Sequence, residues 1–192
     1  MKKLLYTILA VSIIFSACEE DTPLPAANNN ANNNNSALAI GDTHQGGIIF
    51  YLDGNGGGLI AAPSDQSTDA EWGCLGTIIA GADGMAIGTG SQNTIDIVNA
   101  NCPPEFIGDL IAANICTNLT LGGYSDWFLP SKEELNEMFL NKAAIGDFAS
   151  NGYWNSTEAG NFSAWVQYFD DGYQSENVSR GNNYYVRAVR AF

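Results

Sequence analysis

The sequence predicts an α+β domain, with antiparallel strands near both ends of the folded part and helices between them. Short apolar runs bounded by glycine, a pattern typical of strands, occur early, at 46–52 and 59–62, and again from residue 153 onwards. The stretch between these groups carries apolar residues at helical spacing. Because strand and helix patterns are grouped and no internal repeat is present, we do not expect an alternating parallel α/β sheet.

The early strand group predicts a β-hairpin, in which the glycine-rich loop 53–58 joins strands at 46–52 and 59–62. This loop lacks the Lys-Ser or Lys-Thr pair of a phosphate-binding loop, and no helical pattern follows it, so no phosphate site is expected. The next stretch, 63–82, has no clear period. We predict that it is a loop and that Trp72 anchors it in the core.

Two helices are predicted in the middle of the domain. The stretch 89–94 is expected to open the first helix, with Asn93 or Thr94 as its cap, because either side chain can cap a helix. The second is expected to span 105–118, with Leu110 on its inner face. The prolines that follow Cys102 separate the two helices, because proline lacks the N–H that a helix interior needs.

The stretch 122–139 predicts a turn, a short buried strand and a third helix in direct succession. The strand is the apolar run 127–129, and Pro130 ends it because the residue before a proline avoids helical geometry. Ser131 and Glu134 have the spacing of a capping box, in which each side chain accepts a hydrogen bond from the backbone of the other residue. We therefore expect Glu134 to stabilise the helix start and not to act in catalysis.

The last thirty or so residues predict a three-stranded meander with strands at 164–169, 173–178 and 184–192. An Asp-Asp-Gly turn joins the first two strands. The alternation of apolar and polar residues in the last strand is imperfect, and we expect Arg187 and Arg190 in it to pair with acidic residues.

The charge of the chain restricts its partners. The 192 residues include 21 acidic and 7 basic side chains. A field of this sign repels nucleic acid and anionic lipid, so neither is expected as a partner. It suits a soluble surface domain and is compatible with basic partners.

The N-terminus has the order of a lipoprotein signal peptide, predicted at 1–17. Lys2 and Lys3 form a positive region, and the apolar run 4–15 that follows is too short to span a bilayer. The residues before Cys18 resemble a bacterial lipobox, which implies cleavage and lipidation at Cys18. The acyl chains would attach the protein to the membrane.

A tether is predicted at 18–39 and a globular domain at 40–192. The tether begins with an acidic cluster and continues with a proline-containing stretch and an asparagine-rich tract, which have little to bury and are expected to be disordered. An acidic cluster directly after the lipidated cysteine resembles an export signal of Bacteroidetes surface lipoproteins. We therefore expect an outer-membrane lipoprotein at the cell surface, with the periplasmic face as the alternative.

Three cysteines remain in the domain, Cys74, Cys102 and Cys116, and an exported protein permits a disulfide. If 105–118 is helical, Cys102 and Cys116 lie roughly 18 Å apart, whereas a disulfide needs Cα atoms within about 7 Å. We therefore expect Cys74 to pair with Cys102 or with Cys116. The spacings fit no zinc pattern, and neither a metal nor a cofactor is expected.

Few catalytic arrangements can be built from this chain. His44 is the only histidine, so a Ser-His-Asp or Cys-His site would have to use it. A pair of carboxylates, as in glycoside hydrolysis, remains an alternative because such pairs form in space and not in sequence. The candidates for it are Asp126, Glu158, Asp170 and Asp171.

Several motifs together resemble the DUF1566 family, the domain found at the C-terminus of the Legionella collagen-like adhesin (Lcl). They are the Trp-Phe-Leu-Pro-Ser-x-x-Glu-Leu run at 127–135, Tyr-Trp-Asn-Ser-Thr-Glu at 153–158, Ala-Trp at 164–165 and the terminal 185–190. The resemblance covers about residues 41–192 and fits the version common in Bacteroidetes lipoproteins. It implies a fold similar to C-type lectin-like and sulfatase-modifying-factor domains, and a surface protein that in some members is a glycan-binding adhesin.

Two departures limit what the resemblance implies. The Trp-Asn-Asp and Glu-Pro-Asn signatures of calcium-dependent lectins are absent, since Asn155 is followed by Ser156, so a lectin-type calcium site is not supported. No cysteine follows Cys116, so the activity of formylglycine-generating enzymes is not implied.

We therefore predict a lipid-anchored surface module that binds a glycan or an extracellular protein. Most aromatic residues are expected in the core, but exposed ones, with Tyr168 among the candidates, can stack on a ligand. The alternatives are a carbohydrate-active enzyme and a structural component of an envelope complex, for which an exposed apolar patch would be the sign. The candidate ligand-binding residues are Trp127, Trp154, Trp165, Asp170, Asp171 and Tyr173.

Overall fold

A computed structural model describes residues 37–102 and 110–192, all of which belong to one unit, Ala37–Phe192. Within these ranges the chain forms two β-sheets and four helices, which confirms the α+β class. The signal peptide at 1–17, Cys18 and the tether up to residue 36 lie outside the described residues, as does 103–109 within the second predicted helix.

The first sheet has four strands in the order β1-β2-β3-β9, and all of its neighbours are antiparallel. The predicted hairpin is confirmed, with Ile49 opposite Ile60. Its loop is closed by Asp53, whose Oδ1 accepts hydrogen bonds from the N–H groups of Asn55 and Gly57. The strands are β1 (Thr43–His44), β2 (Gly47–Leu52), β3 (Gly58–Ala61) and β9 (Val189–Ala191).

The second sheet has five strands in the order β4-β8-β5-β6-β7. Strand β8 runs parallel to β5, and the other neighbours are antiparallel. The strands are β4 (Ser67–Glu71), β5 (Gly152–Gly160), β6 (Ser163–Tyr168), β7 (Gln174–Ser179) and β8 (Asn183–Val186).

Two predictions that concern the second sheet are wrong. The stretch 63–82 is not all loop, because it contains β4, whose polar sequence has no strand pattern and which forms by pairing with β8. The C-terminal meander is also not formed as predicted, because β8 and β9 belong to different sheets. Between them the buried Arg187 turns inward to bond Asp65, and the N–H of Ala188 donates to the side chain of Gln66.

The helices are α1 (Gly90–Asn99), α2 (Ala112–Thr117), α3 (Lys132–Leu140) and α4 (Lys142–Ile145). Helix α1 begins at Gly90, within the predicted stretch, but Asn93 and Thr94 lie inside it and not at its cap. Both are buried. Thr94 donates to the carbonyl of Gly90 one turn earlier in the same helix and accepts from the N–H of Leu129 at 3.1 Å, and Asn93 donates to the carbonyl of Gly84. The prediction that Leu110 lies on the inner face of the second helix is also wrong, because Leu110 precedes α2 and is exposed.

Helix α3 begins as predicted. Ser131 accepts a hydrogen bond from the N–H of Glu134, and the Glu134 carboxylate accepts one from the N–H of Ser131 at 2.7 Å. The apolar run before it is buried but forms a single bridge, Phe128 with Val189 of β9, and not a strand. Helix α4 was not predicted.

A disulfide and a buried hydrogen bond fix the loops around the core. Cys74 is bonded to Cys102, with Cα atoms 4.9 Å apart, which confirms Cys74 as a bridging cysteine and selects its partner. Cys116 is a free, buried thiol, and burial raises its pKa. The predicted core anchor Trp72 is 1% exposed and donates its indole N–H to the carbonyl of Asn155.

Three arginines tie separate segments together through carboxylates and backbone carbonyls. Arg180 also stacks on the ring of Trp72. The prediction that the two C-terminal arginines pair with acidic residues is confirmed. The pairs are Arg180 with Glu158 at 3.1 Å, Arg187 with Asp65 at 2.7 Å, and Arg190 with Asp126.

Candidate functional site

Two of the predicted ligand-binding residues are core residues in the structure. Trp127 and Trp154 are 1% and 0% exposed, and their indole N–H groups donate to the carbonyls of Leu121 and Ala70. Buried rings cannot stack on a surface ligand, so these two tryptophans do not belong to a surface site.

Trp165 is half-buried on the face of β6 that packs against α3. The ammonium group of Lys132 lies 4.9 Å from the centre of its ring. On the same face, the buried Gln167 donates to Asn136 of α3 at 3.0 Å and accepts from Gln174 of β7 at 3.2 Å. Because side chains alternate along a strand, Trp165 points away from the face that carries Tyr168.

The other three predicted residues lie together at the β6–β7 turn. Asp170 and Asp171 are exposed, and Tyr173 is 63% exposed. The Tyr173 ring lies nearly parallel to that of Tyr168, at an interplanar angle of 21° and a centroid distance of 6.3 Å.

A series of aromatic contacts connects this turn to the core. Tyr168 contacts Tyr184 of β8 with centroids 6.1 Å apart, and Tyr184 contacts the buried Trp154 at 5.1 Å, both edge to face. We call the residues Tyr168, Tyr173 and Tyr184 the tyrosine platform. Since edge-to-face pairs are favourable packing arrangements, the outermost ring is supported by ordered neighbours down to the core.

Two glycines make this arrangement possible. A Cβ at Gly152 would lie 2.5 Å from Cδ1 of Tyr184, so the absence of a side chain lets the ring lie directly against β5. Gly172 in the turn has φ +83°, which glycine adopts without steric cost, and a Cβ there would lie 2.4 Å from the ring of Phe139 in α3.

The turn itself is closed by three hydrogen bonds. The N–H of Tyr168 donates to the carbonyl of Tyr173 at 2.9 Å, and the N–H of Gly172 donates to the carbonyl of Tyr168 at 2.8 Å. The Asp171 carboxylate accepts from the N–H of Tyr173 at 2.9 Å. The position of the exposed ring is therefore fixed by the backbone as well as by stacking.

Two hydroxyl groups of the tyrosine platform bond each other. The hydroxyls of Tyr168 and Tyr184 are hydrogen-bonded at 3.1 Å. This bond, together with burial and the nearby charge of Asp170, raises the pKa of Tyr168 to about 12. The surface thus offers aromatic faces and hydroxyl groups beside two carboxylates.

The four carboxylates that were candidates for catalysis have separate roles. Glu158 is buried, pairs with Arg180 and accepts from the N–H of Ile79 at 2.8 Å. Asp126 pairs with Arg190, whose guanidinium also holds the pKa of that carboxyl below its usual value. Asp170 and Asp171 lie at the platform.

The structure also shows an exposed apolar group away from the turn. Leu75 and Ile78 lie on the loop after Cys74, and Phe162 lies at the β5–β6 turn, with exposed fractions of 46%, 64% and 61%. The N–H of Gly76 donates to the carbonyl of Asn161 at 2.7 Å and joins the two loops. We call these three residues the apolar patch.

Neither a metal centre nor a membrane span is found in the part of the chain that the structure describes. Residues 37–102 and 110–192 contain no group of three or more His, Cys, Asp or Glu side chains placed to hold a metal ion. No helix in the same ranges has the length and apolar content needed to cross a bilayer.

Tyr184 is the platform residue that sequence reasoning missed. Its role depends on β8 lying beside β5, a long-range pairing that no local pattern shows. The available signal was Gly152, directly before the predicted strand that begins at residue 153, since a glycine beside a strand can mark the close approach of another group.

Comparison with known proteins identifies a family. A comparison with curated proteins gives no match. The family model described as the Lcl C-terminal domain matches residues 64–190, which is more than half of the chain and includes the whole tyrosine platform. The chain therefore belongs to the Lcl C-terminal domain family.

Proposed function

We propose that this protein is a lipid-anchored binding module of the bacterial cell surface and that its tyrosine platform binds a glycan. The observation that carries the proposal is Tyr173, whose ring is 63% exposed and yet held in place by the turn and by Tyr168. Membership of the Lcl C-terminal domain family, which suggests an adhesin-like surface domain, supports the same class of function.

The chemistry of the platform suits a sugar. The C–H face of a sugar ring is apolar and packs on an aromatic ring, while its hydroxyls need hydrogen-bond partners. The tyrosine hydroxyls and the carboxylates of Asp170 and Asp171 are such partners. A tyrosine that is already ordered loses little conformational entropy when a ligand binds.

The anchor is the part of the proposal that rests on sequence. Cys18 would carry the lipid, and the 18–39 tether would hold the domain away from the outer membrane, on the cell surface or on its periplasmic face. Roughly twenty residues of flexible chain have an r.m.s. span of about 25 Å. Protease treatment of intact cells that releases the domain would support surface exposure, whereas protection until the outer membrane is opened would support the periplasmic face.

The test of glycan binding compares two exposed aromatic residues. The full-length lipoprotein in detergent is applied to a glycan array as wild type, Tyr173→Ala and Phe162→Ala. We expect Tyr173→Ala to weaken binding about tenfold, equivalent to about 1.4 kcal/mol. Phe162→Ala, which removes a ring of similar exposure at a distant site, should leave binding unchanged.

Two results would contradict the proposal. Absence of binding to every glycan class would exclude the function, and equal binding by wild type and Tyr173→Ala would exclude the site. A second candidate function, a component of an envelope complex, is favoured by the apolar patch. It predicts that Phe162→Ala, and not Tyr173→Ala, reduces recovery of cross-linked envelope proteins from intact cells.

A further inference from the structure

The basic side chains of the described residues are all engaged within the domain. Arg180 and Arg187 are fully buried, and the remaining three each have a carboxylate, carbonyl or aromatic partner. Lys2 and Lys3 lie outside the described residues. Lys132 contacts Glu133 and the Trp165 ring. Lys142 contacts the carbonyl of Phe169 and the Phe139 ring. The three arginine pairs are Arg180 with Glu158, Arg187 with Asp65, and Arg190 with Asp126.

The exposed charge at the tyrosine platform is negative. Asp170 and Asp171 are both exposed at the turn between Tyr168 and Tyr173. The Asp171 carboxylate accepts a single backbone hydrogen bond, from Tyr173. The wider field has the same sign, since the chain carries 21 acidic and 7 basic residues.

These observations decide which glycans the platform can accept. A uronic-acid or sulfated sugar needs a cation or a group of N–H donors to replace its hydration, and here it would lie beside two carboxylates. A neutral sugar carries no such cost. A sugar with a free ammonium group gains attraction to the same carboxylates, because opposite charges a few ångströms apart attract even near a protein surface.

We infer that the tyrosine platform selects neutral and cationic glycans and excludes acidic ones, so that a free amino sugar binds best and a uronate or sulfated sugar worst. This inference rests on the proposed glycan binding at Tyr173. It assigns the ligand class from two observations: the basic side chains already have partners within the domain, and Asp170 and Asp171 lie exposed at the platform.

The experiment uses three oligosaccharides of equal length with the full-length lipoprotein in detergent. The probes are an N-acetylglucosamine oligomer, the same oligomer without its acetyl groups, and an oligomer of alternating glucuronate and N-acetylglucosamine. Affinities are measured by calorimetry at a pH where the amine is protonated, and at low and high salt. We expect the deacetylated oligomer to bind most tightly and to weaken with salt, and the glucuronate oligomer to show no binding.

A matched pair of variants isolates the contribution of one platform carboxylate to the preference among glycans. Asp170→Asn removes a carboxylate at the platform, and Asp83→Asn removes one from an exposed loop elsewhere in the domain. An exposed ion pair contributes up to about 1 kcal/mol, so Asp170→Asn should reduce the preference for the deacetylated oligomer about threefold. Asp83→Asn should leave this preference unchanged.

The outcomes separate the inference from the function it rests on. Binding of the glucuronate oligomer that is lost in Tyr173→Ala would overturn the inference and leave glycan binding standing. Equal effects of Asp170→Asn and Asp83→Asn would overturn the role of the local carboxylate. Absence of binding to all three oligomers would overturn the inference, and the proposed function falls with it only if the glycan array also shows no binding to any glycan class.

Discussion

At the scale of single residues, Gly172 shows how one backbone position controls an exposed side chain. Its positive φ allows the β6–β7 turn to close, and its missing side chain leaves room for Phe139. Both conditions must hold for Tyr173 to reach its position beside Tyr168. Gly54 has a similar φ, +78°, but nothing lies within 4 Å of the place where its Cβ would be.

The two glycines therefore give a matched pair. We expect Gly172→Ala to lower the free energy of unfolding by about 1–3 kcal/mol, because it adds a steric conflict to the strained φ. Gly54→Ala adds only the strain of a positive φ, so it should lower the free energy of unfolding by less than Gly172→Ala does. Urea denaturation of both variants measures the two free energies of unfolding. An equal loss of stability would show that the contact with Phe139 does not disfavour a side chain at position 172.

The ion pair of Asp126 with Arg190 predicts a dependence of stability on pH. Arg190 lowers the pKa of Asp126 in the folded protein below the usual 3.8. The pair therefore contributes stability above that pH, and this contribution is lost as the pH falls through the lower folded value. We expect Asp126→Asn to be less stable than the wild type near neutral pH and to lose less stability between about pH 5 and pH 2.

Thermal denaturation across that range tests the prediction. Asp83→Asn serves as its control, because this variant removes an exposed carboxylate on a loop elsewhere in the domain. Parallel pH profiles for the wild type and Asp126→Asn would show that the pair does not contribute.

At the scale of elements, the start of α3 is more than a local cap. Besides bonding Ser131, the Glu134 carboxylate accepts from the N–H of Gly88 at 2.7 Å, so it joins the loop before α1 to α3. Burial raises its pKa, and the N–H donors oppose this effect. Gly90 is required there, since a Cβ would lie 2.2 Å from the carboxylate.

This double role predicts a large effect of a small change. Glu134→Gln replaces one acceptor oxygen by an NH₂ group, so the N–H of Gly88 or of Ser131 loses its partner. A buried donor without a partner costs about 1–3 kcal/mol. Glu137→Gln, on the same helix, should cost almost nothing. Denaturant midpoints of the two variants, compared at equal m-values, test this role. A midpoint for Glu134→Gln close to that of Glu137→Gln would contradict it.

The same elements show how far the sequence predicts the structure. The Ser131–Glu134 box, the first hairpin and the Asp-Asp-Gly turn depend on residues close in sequence, and the structure contains them. Strand β4 and the separation of β8 from β9 depend on partners far along the chain. No local period identifies them. The site follows the same rule: the turn carrying Tyr173 was predicted, whereas Tyr184 joins it only through the pairing of β8 with β5.

At the scale of the whole molecule, the Cys74–Cys102 bond is expected to be a main source of stability. The two cysteines are 28 residues apart, and closing a loop of this length lowers the entropy of the unfolded chain by an amount worth about 3–4 kcal/mol. The double variant Cys74→Ser with Cys102→Ser should lose this amount.

The matched control for this prediction is Cys116→Ala, which removes the free buried thiol and leaves the disulfide intact. Denaturation of all three proteins with and without a reducing agent separates the contribution of the disulfide from that of the free thiol. The wild type and Cys116→Ala should both be weakened by reduction, and the double variant should not respond. A double variant as stable as the oxidised wild type would contradict the prediction.

The crossing between the two sheets would have a mechanical consequence if the protein, as we propose, is anchored at Cys18 and binds its ligand at Tyr173. Force then enters through the sheet of β1, β2, β3 and β9 and leaves through the sheet that contains β6. Arg187 lies where the chain passes from one sheet to the other, and its guanidinium bonds Asp65 and the carbonyls of Ala62 and Asp147. We expect these bonds to resist separation of the two sheets under such a load, so that the rupture force of the domain depends on Arg187, which lies outside the tyrosine platform.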